Sequence, residues 1–548
     1  MTSKVRVAVN QENFVKNLKF AFSNFSTFLA ELIQNSRRAG ATKVELTLEG
    51  KTLTVVDDGH GIADFQNLFT IAESGWDNQT RSLESPFGMG FTSALFACGQ
   101  IRVESCGQLL DAHTRALLDM HDLTVVPGTV TIGTKLTLSN LTFDETRIKS
   151  ALEAIALGYE IPVIFNGEEL PRPEAIDAAE FLPTPIGSVL VRDLAGFRSN
   201  SSIVVYLQGI QVSGPAHYGR SAAAIVHLDS TRFQAKLPDR NCLIDQADKD
   251  VEIRKHVESL VHSMLVEKQR ELDAEAFVNA YWDAAGSVAP DLVRDHPVVP
   301  AKVLLKLVEA LCFAEWHEIY EYRYSSPEPK SFRRDAFDRG EFRVVRGSGF
   351  VDLEDDADSA VQRVYAMQQG ALVVVGQLPK GHWLLNAPQF DELQVTYDIV
   401  NEGAIAGSDY EAHDFDIQIC DSIAIRGIWG ETIVDNMEIS VASSDGNGTV
   451  EKVTVFTPLN VGSMGVGVQQ FQAFSSDDRE DQDYRKECMA RYRRWIKQAR
   501  NVNPRDLLND LLADLFVDTE TVRNTRFILE VSGTGRLSVV EKVEAVAV

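Results

Sequence analysis

Several common signals are missing from this sequence of 548 residues. Its six cysteines form no Cys-x-x-Cys pair, which argues against a zinc site and against the disulfide framework of a small secreted protein. No stretch approaches the roughly 18 consecutive apolar residues that a membrane-spanning helix needs. The motif Gly-x-x-x-x-Gly-Lys-Ser/Thr is also absent, which excludes a P-loop nucleotide site.

Basic residues are outnumbered. The chain has 53 Lys and Arg against 79 Asp and Glu, a formal net charge of −26. DNA binding over a wide surface needs clustered Lys and Arg, so this charge argues against it. The first residues lack the apolar core of a signal peptide. We therefore expect a cytoplasmic protein that does not bind membranes.

What the sequence does contain is a series of short motifs that begins at Glu31. Glu31 and Asn35 lie four residues apart in a predicted helix over residues 21–39, where apolar residues recur every three or four positions. Residues i and i+4 share a helix face, so both side chains can point into one cavity. A carboxylate can act as a general base, and an amide oxygen is the kind of hard ligand that Mg²⁺ prefers.

Glycine-rich turns follow this helix. In chain order they are Asp57-x-Gly59-x-Gly61 after a predicted hairpin, Gly88-x-Gly90 before a predicted helix, and Gly133-Thr134-Lys135 before an apolar strand. Glycine lets the backbone approach a base or wrap phosphate groups. Taken singly, each motif has an ordinary explanation as a solvated helix face or a turn after a strand. Their order and context together favour a nucleotide site.

In this order the motifs resemble the ATP site of the GHKL superfamily, which includes gyrase B-type subunits, the large heat-shock chaperones, sensor histidine kinases and MutL. The resemblance implies a Bergerat-type α/β sandwich with ATP and Mg²⁺ as cofactors. Glu31 would activate water, Asn35 would hold Mg²⁺, and Asp57 would accept the adenine amino group. The other cofactor-binding residues that it implies are Gly59, Gly61, Ile62, Gly88, Met89, Gly90, Phe91 and Thr134.

Two further features bear on the resemblance to the GHKL superfamily. Residues 63–87 are polar and rich in turn-forming residues, and we expect them to form a lid over ATP, with a plain surface loop as the alternative. At one position of the predicted helix, however, the sequence departs from these families. Many gyrase and MutL proteins carry Asp three residues after the Asn, where this chain has Arg38.

The region after residue 185 predicts a second domain. Several β runs precede a predicted helix from about Asp250 to Ala280, and this arrangement resembles the transducer domain of gyrase, MutL and the chaperones. In those families a transducer loop carries a basic residue to the γ-phosphate. Lys236, in Gln-Ala-Lys, is the first candidate for this catalytic role, and Arg240 is the second.

Residues 291–548 resemble no family that we can name. We predict a helix over residues 302–322 and a charged helix over residues 475–501. Arg491, Arg493, Arg494, Lys497 and Arg500, with Tyr492 and Trp495, make the charged helix a candidate for nucleic-acid contact. A solvated basic face is the interpretation that the overall acidic charge favours.

These observations predict an α+β multidomain protein with three parts. They are an ATP-binding α/β sandwich (1–185), a transducer-like α+β domain (186–290) and an unassigned α+β C-terminal region (291–548). By resemblance, the protein is a slow, Mg²⁺-dependent ATPase that forms a homodimeric clamp on binding ATP and acts on a protein client. The alternatives are a DNA-acting ATPase related to MutL or the topoisomerase ATPase subunits, and a binding-only module with ATP as a structural ligand.

Overall fold

The computed structural model shows a mixed α+β chain made of more than one compact unit. The residues it describes are 6, 15, 25–70, 90–215, 222–236, 240–308, 324–328, 330–347, 360–375, 378–401, 403, 405–410, 413–444, 450–458, 503–513 and 526–543. The chain divides into one unit over residues 1–296 and another over residues 297–548. Most of the expected lid, and all of the charged helix at 475–501, lie outside the described residues.

From residue 25 onward, the described part of the first unit has a helix and then a hairpin, as the sequence predicts. Helix α1 spans Phe25–Arg38, and strands β1 and β2 span Val44–Glu49 and Thr52–Asp57. Leu53 and Val55 are buried on β2, while Thr52 and Thr54 are partly exposed. This alternation matches the two-residue period of a strand with one face on a core.

These two strands lie inside an eight-stranded sheet with the order β5-β4-β3-β6-β2-β1-β7-β8. Neighbouring strands are antiparallel, except for the parallel pair β1 and β7. The other strands are β3 Gln100–Ser105, β4 Gln108–His113, β5 Val126–Pro127, β6 Thr134–Ser139, β7 Val163–Phe165 and β8 Glu168–Glu169. The helices between them are α2 Gln66–Phe69, α3 Ala94–Ala97, α4 Thr114–Leu118 and α5 Glu145–Ala156, with a 3₁₀ turn at Phe91–Ser93.

The core of this region lies between the sheet and two of its helices. Leu29 and Ile33 of α1 and Leu152 of α5 belong to the same buried cluster as Leu53 and Leu138 of the sheet. Since the apolar face of α1 is fixed against the sheet, its opposite polar residues are held at defined positions. The sheet therefore sets where the candidate site residues of α1 lie.

A second sheet of five strands follows in the same unit, in the order β12-β11-β13-β10-β9. Its strands are β9 Leu182–Thr184, β10 Gly187–Val191, β11 Ile203–Leu207, β12 Ile210–Ser213 and β13 Ala224–Leu228. Tyr159 connects this sheet to α1, because its hydroxyl donates to the Ile33 carbonyl at 2.9 Å. A Cβ at Gly209, in the turn between β11 and β12, would lie 2.8 Å from the Tyr159 ring.

The predicted helix over residues 250–280 is wrong as a single element. The structure has α6 at Gln246–Glu271, α7 at Ala274–Val288 and α8 at Pro290–Arg294. Leu272 is extended, and the Asp273 side chain accepts a hydrogen bond from the Ala276 N–H. An aspartate in this position caps a new helix, so the chain stops one helix and starts another.

The second unit contains several small sheets. Its strands are β14 Val298–Pro300, β15 Leu304–Leu307, β16 Tyr324–Ser325, β17 Ser331–Arg333, β18 Val344–Arg346, β19 Leu372–Val374, β20 Thr396–Val400, β21 Ile405–Tyr410, β22 His413–Cys420, β23 Ser422–Gly427, β24 Gly430–Val434, β25 Ile439–Ser444, β26 Val450–Pro458, β27 Arg526–Val531 and β28 Leu537–Val543. The α-helices among its described residues are α9 Arg334–Asp338, α10 Ala360–Gln368 and α11 Pro504–Ala513.

The predicted helix over residues 302–322 is also wrong where the structure describes it. Residues 304–307 form β15, which pairs antiparallel with β19. A short apolar run fits a buried strand and a buried helix equally well, so periodicity alone does not separate the two. None of the helices in the described ranges of either unit has the length and apolar character needed to cross a bilayer.

Candidate functional site

Glu31 is a buried carboxylate at the centre of the predicted site. It is 6% exposed and lies on the same face of α1 as Gln34, Asn35 and Arg38, at positions i, i+3, i+4 and i+7. Arg38 Nη1 donates to Asn35 Oδ1 at 3.1 Å and lies 3.7 Å from Glu31 Oε2. Arg38 Nη2 donates to Gln34 Oε1 at 3.0 Å. The residue that departs from the family pattern therefore contacts both of the site residues predicted on this helix.

A second arginine reaches Glu31 from a distant part of the chain. Arg240 Nε lies 3.0 Å from Glu31 Oε1, and both side chains are almost completely buried. Arg240 lies in a short loop that is closed by the bridge between Ala235 and Leu243. Its backbone N–H also donates to the Lys236 carbonyl at 2.9 Å. This loop follows β13, so the five-stranded sheet supplies a cation to the face of α1.

Lys236 occupies a different environment from Arg240. Its backbone N–H donates to the Cys242 carbonyl at 2.8 Å, while the residue is exposed. The structure thus brings the second sequence candidate, Arg240, into contact with Glu31, and places Lys236 at the surface of the same loop. The spacing of Gln-x-Lys in the sequence contains no information about which of the two side chains turns inward.

Gly90 lies directly against Glu31. A Cβ built on Gly90 would be 2.1 Å from Glu31 Oε2, far inside van der Waals contact. Gly90 precedes the 3₁₀ turn at Phe91–Ser93 and has an ordinary helical backbone with φ −61°. The glycine is therefore required by its neighbour and not by its own conformation. Gly88 and Met89, the other predicted residues of this turn, lie outside the described residues.

Asp57 lies at the end of β2, where it contacts the residue after Asn35 on α1. Its Oδ1 accepts from the Gly59 N–H at 3.0 Å, and its Oδ2 accepts from Ser36 Oγ at 3.1 Å. Burial raises the pKa of this carboxyl above its ordinary value, and the hydrogen bonds from Gly59 and Ser36 oppose that increase. The sequence motifs do not indicate Ser36 as a partner of Asp57, although Ser36 lies in the predicted helix next to Asn35.

The turns around Asp57 are packed closely against β3 and β6. Asp57 pairs with Thr134 across β2 and β6. Gly133 has φ +70°, and a Cβ there would lie 1.9 Å from the Asp57 carbonyl oxygen. Ser105 Oγ donates to the Gly133 carbonyl at 2.7 Å and accepts from the Ile62 N–H at 2.8 Å. Ser105 thus holds two of the predicted motifs together, a role that no local pattern reveals.

The remaining predicted residues divide between the turns and the core. A Cβ at Gly59 would lie 2.7 Å from the Ala39 Cβ, so the turn after β2 packs on the end of α1. Phe91 is half-buried and contacts Phe69 edge to face at 5.7 Å between ring centroids. Phe91 therefore anchors the segment after Gly90 to the hydrophobic core.

Comparison with known protein families matches residues 23–138 to the family described as histidine kinase-, DNA gyrase B-, and HSP90-like ATPase. Residues 23–138 belong to the GHKL ATPase superfamily. ATP binding follows from this domain type. A comparison of the chain with curated proteins found no significant match.

The GHKL domain is expected to hold Mg²⁺ through Asn35, whose side chain has polar neighbours on the same helix. Its amide oxygen already accepts a hydrogen bond from Arg38 Nη1. The nearest carboxylate, Glu31, faces Arg38 on one oxygen and Arg240 on the other. Mg²⁺ needs oxygen ligands in near-octahedral geometry, and two neighbouring guanidinium groups repel a cation. Asn35 as the magnesium ligand therefore stays a prediction, and its binding of the ion requires the hydrogen bond from Arg38 to open.

Proposed function

We propose that this protein is an ATP-hydrolysing molecular switch. The observation that carries the proposal is the buried pair between Glu31 of the GHKL domain and Arg240 of the loop after β13, at 3.0 Å. A candidate general base on helix α1 and a candidate phosphate-binding cation in the loop after β13 meet at one point. Such a contact is sensitive to a nucleotide, because a phosphate group competes with the carboxylate for the guanidinium.

Each site residue has a role in this proposal. Glu31 is the general base that accepts a proton from the attacking water. Asp57, with its carboxylate held by Ser36 and Gly59, accepts the adenine amino group. Arg240 is the residue that contacts the γ-phosphate, as an arginine finger does in other phosphoryl-transfer sites. When Arg240 moves from Glu31 to the phosphate, the carboxylate becomes available as a base.

The switch acts through a conformational step. Because Arg240 belongs to the loop that follows β13, its transfer to a phosphate moves the five-stranded sheet relative to α1. By analogy with GHKL chaperones, we infer that ATP joins two copies of the protein into a clamp on a protein client and that turnover is slow. The net charge of −26 favours a protein client over nucleic acid.

Hydrolysis tests the role of Glu31. Glu31→Ala should still bind a non-hydrolysable ATP analogue. Its rate of phosphate release should fall by about a hundredfold or more. Glu153→Ala on α5 is the matched control, because that carboxylate is half exposed and pairs with Lys149 on its own helix. Phosphate release unchanged in Glu31→Ala contradicts the assignment. Binding without turnover in the wild type supports the binding-only module instead.

The phosphate-release assay also distinguishes the two candidates for the γ-phosphate contact, Arg240 and Lys236. Arg240→Ala should slow phosphate release by about tenfold or more, because a charge-assisted contact is lost. Lys236→Ala should change it little, since the residue is exposed. The reverse ranking would assign the γ-phosphate contact to Lys236.

Clamp formation is tested by sedimentation with and without the non-hydrolysable analogue. A shift from monomer to dimer on adding the analogue supports the clamp, and an unchanged sedimentation coefficient contradicts it. Double-stranded DNA added to the hydrolysis assay separates the two kinds of target. Stimulation by DNA would favour a DNA-acting ATPase, and the absence of stimulation favours the protein client.

A further inference from the structure

Arg38 and Asn35 are in contact within one turn of α1. Arg38 Nη1 donates to Asn35 Oδ1 at 3.1 Å, and Arg38 Nη2 donates to Gln34 Oε1 at 3.0 Å. Both acceptors lie three or four residues before Arg38 on the same helix, where side chains share a face. Because one helix backbone carries all three residues, the geometry of this contact is set locally.

The contact is also buried. The Arg38 side chain is 2% exposed, and Gln34 is 2% exposed. A hydrogen bond from a charged donor is stronger in such a place than in water. Opening it takes this donor away from the amide oxygens of Asn35 and Gln34, which has a free-energy cost.

Asn35 Oδ1 is the same atom that is predicted to bind Mg²⁺. An amide oxygen has two lone pairs, but Mg²⁺ at its usual ligand distance would lie within about 5 Å of a guanidinium bonded to the same oxygen. Two cations this close in a buried place repel each other. The oxygen therefore serves either the guanidinium or the metal ion.

From this competition we propose that Arg38 is an autoinhibitory lock on the magnesium site, which occupies Asn35 until the ion displaces it. Glu31 Oε2, at 3.7 Å from Arg38 Nη1, adds a negative charge that favours the locked position. Many gyrase and MutL proteins carry Asp at the position of Arg38, and a carboxylate has no donor with which to occupy the amide oxygen. The inference rests on the proposed function, because it concerns the ion that accompanies bound ATP.

The experiment measures the affinity of the full chain for a non-hydrolysable ATP analogue by calorimetry, in excess Mg²⁺ and in EDTA. Arg38→Met removes the donors and keeps a long side chain in the buried place. With Mg²⁺ this variant should bind the analogue about tenfold more tightly than the wild type, because no hydrogen bond has to open. In EDTA it should bind no more tightly than the wild type. Equal or weaker binding with Mg²⁺, or an equal gain in both conditions, overturns the inference.

Gln34→Leu is a second variant, and it keeps every charge of the site. It removes the acceptor of Arg38 Nη2, so the lock is weaker and the analogue should bind about threefold more tightly with Mg²⁺. Tighter binding in this variant does not come from the loss of a positive charge. Arg115→Gln is the control, since the Arg115 side chain is 92% exposed in the same domain, and its affinities should match those of the wild type.

The outcomes separate the inference from the proposed function. A damaged site binds its ligand more weakly, so tighter binding distinguishes a lock from a merely structural role. If the wild type binds the analogue in neither condition, the proposed function fails, and this inference fails with it. If the wild type binds and Arg38→Met binds no more tightly with Mg²⁺, the inference alone is wrong. Should Arg38→Met not fold, Gln34→Leu decides, and binding with Mg²⁺ no tighter than wild type overturns the inference.

Discussion

Gly90 offers a direct test of how tightly Glu31 is held. In Gly90→Ala the new Cβ would lie 2.1 Å from Glu31 Oε2, 2.5 Å from Cδ and 2.9 Å from Cγ. The Glu31 side chain must move away from it. That movement separates Glu31 Oε1 from Arg240 Nε, which are 3.0 Å apart. A conservative change of one methyl group is therefore expected to break a buried ion pair.

The size of the effect follows from two opposing contributions. Removing one partner of a buried ion pair costs about 3–5 kcal/mol of unfolding free energy, and this is an upper limit for Gly90→Ala, which only separates the partners. Alanine at an ordinary helical backbone position recovers up to about 1 kcal/mol relative to glycine. We expect Gly90→Ala to lower the unfolding free energy by up to about 4 kcal/mol, measured by urea unfolding.

A double-mutant cycle isolates the contact. In a Glu31→Ala background the atoms that clash with the new methyl group are gone, so adding Gly90→Ala should cost almost nothing. Gly286→Ala is the control for helix propensity, because Gly286 is an exposed glycine of α7 and a Cβ there would have no atom within 4 Å. It should be neutral or stabilising. An equal cost of Gly90→Ala in both backgrounds would refute the reasoning.

Three further predictions concern the turns and the junction around the site. The pKa of Asp57 is raised by burial, so its ionisation lowers stability as the pH rises from the ordinary aspartate pKa to the raised one. The stability of Asp57→Asn relative to wild type should therefore increase with pH across this window in urea unfolding. Gly133→Ala should cost about 3 kcal/mol or more, because a left-handed φ of +70° is combined with a clash against the Asp57 backbone. Gly107→Ala, with φ +73° and no atom within 4 Å, should cost only about 1–2 kcal/mol; similar costs for the two would contradict this account. Tyr159→Phe should cost about 1 kcal/mol, since it removes the bond to the Ile33 carbonyl, and thermal unfolding that matches wild type would show that the bond is not stabilising.

Local elements around the site were predictable where one physical signal dominated. The apolar period of α1 and the alternation in β1 and β2 depend on nearest neighbours along the chain, and the structure has these elements. Prediction failed at residues 250–280, because the capping role of Asp273 competes with a continuous helical pattern. It failed again at residues 304–307, because pairing with β19 decides between strand and helix there.

The candidate site also contains residues whose position the sequence predicts and residues whose position it does not. The side chain of Arg38 could have been placed on the Glu31 face from its spacing of seven residues, since positions i and i+7 share a helix face. Ser105 could not, because its contacts with Ile62 and Gly133 join three segments that are distant in sequence. Such contacts depend on strand register, which no single segment specifies.

The sequence by itself determined the kind of site: an acidic residue and an amide on one helix face, followed by Asp57 and glycine-rich turns in the GHKL order. These features are local, because they depend on helix period and on residues a few positions apart. Only the tertiary structure decided which cations face Glu31. Arg240 reaches it through the loop after β13, and the charge balance around a buried carboxylate depends on groups brought together by packing, not by their separation along the chain.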